Sequence, residues 1–285
     1  MGIGADLAAA LDPCVLARQA GLVPDEWQAS VLRSTAPRLL LNCSRQSGKS
    51  TISALLALHT ALYTPAALVL MLSPSLRQSA ELFRKCVDLY RALGRPVPAQ
   101  AETSLRLELE GGSRVISLPG SEATVRGYSG VTLLVVDEAS RVEDQLYMAL
   151  RPMVAVSQGR LIALSTPFGR RGWWFEAWRG QEPWERYEVP ASACPRISPQ
   201  FLAEEQRALG PWWFQQEYMC QFGETTDQLF GYDVVMAAII PEVKPLFAEA
   251  GAGGDMSPEV ASSSSSSSSS SEQTSTLAVT PLFAS

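Results

Sequence analysis

Apolar residues fall into short runs along the first 190 or so positions, each closed by small or polar residues. Arg38 is followed by Leu39, Leu40 and Leu41; Ala67 to Leu72 reads ALVLML; Thr132 to Val136 and Arg160 to Leu164 are two more such runs. Runs of this length bounded by turn residues predict buried strands. Between them the pattern changes period. Ile52 to Tyr63 is helix-prone, and Ser75 to Leu93 carries Leu82, Cys86, Leu89 and Leu93 on one helical face before Gly94 closes it. Alternation in Ser104 to Glu110 and Arg114 to Leu118, around Gly111-Gly112, predicts a β-hairpin. Buried strands alternating with helices predict an α/β fold: a mostly parallel sheet with helices on both faces.

Toward the ends the pattern is less regular. Residues 1–36 read as a helical segment, in which Pro24-Asp25-Glu26-Trp27-Gln28 starts a helix. Residues 37–190 hold the strand and helix alternation, and 191–248 read as a helical subdomain or linker closing it. Pro199 to Leu209 and Pro211 to Phe222 are expected to be two helices there, with Trp212, Trp213 and Phe214 closing the core, and Asp233 to Ile240 a last helix. Arg170 to Trp184 interleaves arginines with Trp173, Trp174, Phe175, Trp178 and Trp184. Such a stretch either stacks on bases or packs as an amphipathic helix on its own sheet, and packing is the commoner outcome. Ser262 to Ser271 is a serine run that buries nothing, so residues 249–285 are expected to form a disordered tail.

Composition narrows the class. Of 285 residues, 46% are hydrophobic and 18% charged, an ordinary globular balance. The five cysteines are scattered without a CxxC pair and the lone histidine is His59, which leaves no zinc site and no disulfide frame and favours a reducing compartment. No run reaches the ~18 apolar residues of a membrane span, and no secretory pattern opens the chain. The formal charge is −6, most of it beyond Pro241, so the folded part is nearly neutral and is not by charge a free-standing nucleic-acid binder. Basic residues are 20 Arg to 3 Lys, which singles out each lysine.

One of those lysines follows the first strand. Cys43-Ser44-Arg45-Gln46-Ser47-Gly48-Lys49-Ser50-Thr51 lies between a predicted strand and a predicted helix, the context a P-loop requires. Gly48 would let backbone amides approach a phosphate, Lys49 would place a charge on the β/γ-phosphates, and the Ser50 hydroxyl can ligate Mg²⁺. The helix N-terminus adds its dipole. Cys43 stands where the pattern asks for the first glycine. An ordinary turn between strand and helix is the competing reading.

The second chemical signal is Asp137-Glu138, placed by four apolar residues at the C-terminal end of a strand. In an open parallel sheet that end is where ligands bind. Asp137 would hold Mg²⁺ and Glu138 would act as general base on water. The paired acids favour ATP hydrolysis over a nucleotide-state switch; an acidic start to a surface helix is the alternative. Gln28, beside Trp27, offers the donor and acceptor that suit an adenine edge.

These segments together resemble the ATPase domain of the large terminase subunit, the DNA-packaging motor of tailed double-stranded DNA bacteriophages. Trp27-Gln28 looks like the family's adenine-recognising Q motif. Cys43 to Thr51 looks like its deviant Walker A, with Arg45 inside the loop and the first glycine absent. Val125-Arg126-Gly127-Tyr128-Ser129-Gly130 before the Walker B acids resembles its R-G segment, and Leu164-Ser165-Thr166-Pro167 its coupling motif. The resemblance implies a RecA/helicase-like P-loop NTPase fold, with ATP and Mg²⁺ as cofactors. Arg45 would be a phosphate-contacting charge, Arg126 an arginine finger acting in a homo-oligomeric ring, and Ser165 and Thr166 the relay of γ-phosphate loss. The implied partners are double-stranded DNA, a portal protein and a small terminase subunit, in the host cytoplasm with transient docking on a procapsid. The clustered acids of the family's nuclease domain are not found after Ile240. A helicase-like ATPase and a non-hydrolysing terminase remnant are the rival readings.

Overall fold

The computed structural model describes residues 2–120, 125, 127–224 and 232–238. Helices α1 (Ile3–Leu11), α2 (Pro13–Gln19) and α3 (Glu26–Arg33) lead into strand β1 (Arg38–Cys43) and helix α4 (Lys49–Tyr63). Then come β2 (Leu68–Ser73), α5 (Leu76–Ala92), β3 (Ala99–Glu102), β4 (Arg106–Leu109), β5 (Arg114–Pro119) and β6 (Leu133–Asp137). The remaining elements are α6 (Asp144–Leu150), β7 (Arg160–Ser165), α7 (Gly172–Arg179), β8 (Glu185–Val189), α8 (Pro199–Glu217) and α9 (Tyr232–Ala238).

All eight strands join one sheet in the order β3-β4-β5-β2-β6-β7-β1-β8. Strands β5 to β8 of that order pair in parallel, and β3-β4-β5 form an antiparallel meander at one edge. The period of two along each apolar run explains why the strands are buried on both faces. Leu39 and Leu41 of β1, with Leu133 and Val135 of β6, face a core that includes Val31 of α3, Leu55 and Leu58 of α4 and Leu89 of α5. Leu40, Leu134 and Val136 face the other core, which holds Tyr147 of α6 and Trp173 and Trp174 of α7. The expected α/β architecture with helices on both faces is the one observed.

Local signals set several element ends. Ser75 caps α5 by accepting from the Gln78 N–H at 3.3 Å. Gly112, at φ 80°, turns the β4–β5 hairpin in a conformation that favours glycine. Gly210, at φ 76° before Pro211, kinks α8 into the two helices expected there, although the second ends at Glu217, short of Phe222.

The arginine-rich aromatic segment packs inward. Trp173, Trp174, Phe175 and Trp184 are buried, Trp173 stacks on Tyr147 at 3.9 Å, and its Nε1 donates to the Val142 carbonyl. Those rings therefore present no stacking platform to a base. Trp213 corrects an expectation in the other direction. Phe214 is buried, but Trp213 is 45% exposed because the turn after the kink carries it to the outer side of α8. Strands β3 and β8 were not foreseen; both lie at sheet edges, where one face meets solvent and the residues are largely polar.

The described residues form one compact unit that ends at Ala238. Residues 239–285, with the serine run and the tail expected from 249, lie outside the described residues, as does Arg126. Among the described residues no helix is long and apolar enough to cross a membrane.

Candidate functional site

Three neighbouring strands deliver the candidate residues to one rim. In the parallel ladder Asn42 of β1 sits beside Ser165 of β7, and Leu164 of β7 beside Asp137 of β6. The segments that follow these strands therefore emerge together at the C-terminal edge of the sheet, where such folds place their ligands. They surround a cleft of about 720 Å³ lined by the 45–51 loop, Glu138, Arg141 and Thr166, with Gln78 and Lys85 of α5 on the far wall.

The loop is shaped by its backbone. Cys43 is the last residue of β1 and its side chain is fully buried in the core, where desolvation pushes the thiol's pKa up. A strand residue needs no glycine, which accounts for the departure at this position. The Ser44 and Arg45 amides then donate to the Val189 and Glu217 carbonyls. Gln46 (φ 61°) and Gly48 (φ 90°) take left-handed conformations, and α4 starts at Lys49. A Cβ on Gly48 would lie 2.9 Å from Gln28 Nε2 and 3.3 Å from Arg196 Nη2. Glycine is required at 48 both for the turn and for what lies behind it.

Lys49 is buried, and its Nζ stands 3.7 Å from Glu138 Oε1. The Ser50 hydroxyl donates to Asp137 Oδ2 at 3.3 Å. Asp137 is buried at the end of β6, and its pKa is raised to about 6, first by desolvation and next by the neighbouring Glu138 charge. Glu138 has φ 50° and ψ 44°, a left-handed conformation that costs a non-glycine residue on the order of 1 kcal/mol or more. Strain at a carboxylate aimed into a cleft is a mark of functional placement. A hydroxyl and a carboxylate within hydrogen-bond distance match the sparse protein ligation of Mg²⁺, which keeps waters and phosphate oxygens as its other ligands. Among the described residues no group of three or more His, Cys, Asp and Glu converges as a dedicated metal cage.

Other expected residues are engaged differently. The Gln28 carboxamide lies behind the loop, where Oε1 accepts from the Asp25 N–H at 3.0 Å and Nε2 donates to the Ser47 carbonyl at 3.3 Å. Trp27 packs against the core, its buried indole Nε1 without a partner. Arg45 turns to α8, where its Nε donates to Glu217 Oε2 at 2.5 Å. The Ser44 and Ser47 hydroxyls are buried without partners. Thr51 and Thr166 line the cleft; Ser165 is buried and its hydroxyl lies 2.7 Å from that of Ser140. His59 is a packing residue, its Nε2 3.1 Å from the Ala9 carbonyl.

Four residues at this rim escaped the sequence reading. Arg196 donates to both the Ser47 carbonyl (2.8 Å) and Asp25 Oδ1 (2.7 Å), and Glu217 holds Arg45. Neither has a local sequence signal. Lys85 and Arg141 did: one is among three lysines, and the other lies three residues past Glu138.

With β7 lying between the loop-bearing β1 and the acid-bearing β6, the sheet and its rim define a P-loop-type α/β protein. A family model for the N-terminal part of the T4-like-virus type of terminase large subunit matches residues 40–234, and the chain belongs to that family. The terminase large subunit of Thermus virus P23-45 is 25% identical over 257 residues, covering 76% of this chain and 52% of that protein. The chain thus spans about half the length of the curated relatives it matches. Among solved structures, the large terminase ATPase domain of Thermus phage P74-26 superposes with a TM-score of 0.66 at 21% identity, covering 73% of this chain and 97% of that one. The large terminase of the thermophilic bacteriophage D6E in complex with ADP gives a TM-score of 0.58 at 11% identity, covering 70% of this chain and 54% of that one. At these identities the solved structures attest the fold.

Proposed function

We propose that this chain is the ATP-hydrolysing motor part of a large terminase, driving double-stranded DNA into a viral procapsid. The observation that carries the reading is the 3.7 Å approach of Lys49 Nζ to Glu138 Oε1 across a cleft at one sheet rim. In this reading the 45–51 loop and the α4 N-terminus hold the β- and γ-phosphates, with Lys49 supplying the point charge. Ser50 and Asp137 hold Mg²⁺, which when bound neutralises charge on the phosphate oxygens. Glu138 takes the proton of the attacking water.

Two residues change partners for this to operate. Arg45 leaves Glu217 to meet the phosphates, and Gln28 gives up a bond to Asp25 or Ser47 to read adenine. The Ser140–Ser165 contact ties the acid-bearing turn to Ser165 and Thr166, which supports their role in relaying phosphate release. Arg126 acts on a neighbouring subunit's nucleotide in a homo-oligomeric ring. The partners are DNA, a portal protein and a small terminase subunit, met in the host cytoplasm and at the procapsid.

A phosphate-release assay with Mg²⁺, with and without linear duplex DNA, tests the reading. The chain should hydrolyse ATP, and Glu138→Gln should lower turnover by about 10²-fold or more while nucleotide still binds. Undiminished hydrolysis in that variant removes the base assignment. Strand separation instead of translocation would move the chain to the helicase-like class.

A further inference from the structure

The strongest unassigned feature of the cleft is Arg141. It closes the short turn Ala139–Arg141 that starts at Glu138, and its backbone N–H donates to the Glu138 carbonyl at 2.9 Å. Its side chain therefore leaves the same rigid turn as the acid facing Lys49. Arg141 lines the cleft with Lys49, Glu138 and Thr166. Among the described residues it has no ion-pair partner, whereas Arg45 on the same cleft is held by Glu217. Arg45 and Arg171 are close enough for their charges to oppose its own, while Glu138 and Glu217 favour it.

The guanidinium is already held on one side. Its carbon lies 3.3 Å from the centre of the Phe168 ring, a cation–π contact that keeps the group over that ring. A planar donor fork with no carboxylate on it, facing a cleft lined by other cations, is matched to an anion with several oxygens. Phe168 belongs to the segment after β7, and the Ser140–Ser165 hydroxyl contact ties that segment to the Arg141 turn beside the stack. The guanidinium is thus held from the segments that follow β6, which bears the acid, and its neighbour β7.

We propose that Arg141 contacts the terminal phosphate of the bound nucleoside triphosphate in cis, with Phe168 as the residue that positions it. This rests on the nucleotide-hydrolysing reading above. It assigns part of the discrimination of triphosphate from diphosphate to a residue outside the loop and the acid pair, one that lines the cleft beside Glu138.

The test is a pair of binding measurements with Mg²⁺, using ADP and the slowly hydrolysed analogue ATPγS, on the wild type and on Arg141→Ala, Arg141→Lys and Phe168→Leu. Arg141→Ala should weaken ATPγS binding about tenfold or more and leave ADP within about twofold. Arg141→Lys keeps the charge and stem but not the fork, so it should lose part of the preference for triphosphate. Phe168→Leu should reduce the same ratio without moving ADP affinity. An unchanged ratio in Arg141→Ala, or an equal loss for both ligands, overturns the proposal. A wild type that binds neither nucleotide instead overturns the reading on which it rests, and the two failures are therefore distinct.

Discussion

The two sides of the 43–50 loop are built to different standards. Behind it, the Ser47 carbonyl accepts from both Gln28 and Arg196, and Arg196 is anchored in turn on Asp25 at 2.7 Å. In front of it, Lys49 stands 3.7 Å from Glu138, beyond hydrogen-bond length, and the Ser50–Asp137 contact is long at 3.3 Å. At the back, these bonds to the Ser47 carbonyl hold the loop in shape. The front is left under-satisfied, with a strained Glu138 beside a buried Asp137 whose pKa burial raises to about 6. A preorganised site needs both: rigid support, and polar groups whose best partner is the ligand.

The difference can be broken from the front first. Lys49→Ala removes the buried cation that faces Glu138, and should lower triphosphate affinity or turnover by about 10²-fold or more with little change in thermal stability. A variant that melts well below the wild type would show that Lys49 also holds the fold together. Gly48→Ala acts on both sides at once, through its positive φ and the 2.9 Å approach of Gln28 Nε2. Stability should fall by about 1–3 kcal/mol in urea denaturation, with nucleotide affinity falling alongside. The smallest effects belong to the back. Arg196→Ala and Gln28→Ala should each cost about 1 kcal/mol, since Arg196 is half exposed and the bond from Gln28 is long. Because they share one acceptor, the double variant should depart from the sum of the singles; strict additivity would deny the shared brace.

The front was legible in the sequence and the back was not. Gly48-Lys49-Ser50 after an apolar run, and Asp137-Glu138 after another, declare themselves because each motif is continuous and its strand is buried on both faces. Gln28 was legible as a residue with both a donor and an acceptor, but nothing local signals that Ser47 and Asp25 engage both ends. Arg196 and Glu217 stand 149 and 172 residues from their loop partners, so no window of sequence contains both members of either pair.

By itself the sequence determined the apolar runs that become the central strands, the helix period of α5, the hairpin at Gly111-Gly112 and the chemistry at the two strand ends. Those follow from local rules: side-chain periodicity, capping and the conformational freedom of glycine. Tertiary structure alone decided that β7 lies between β1 and β6, that β3 and β8 extend the edges, that Trp213 faces outward, and which cations meet which acids at the rim. These depend on how the sheet orders its strands, which brings residues far apart in the chain within hydrogen-bond reach.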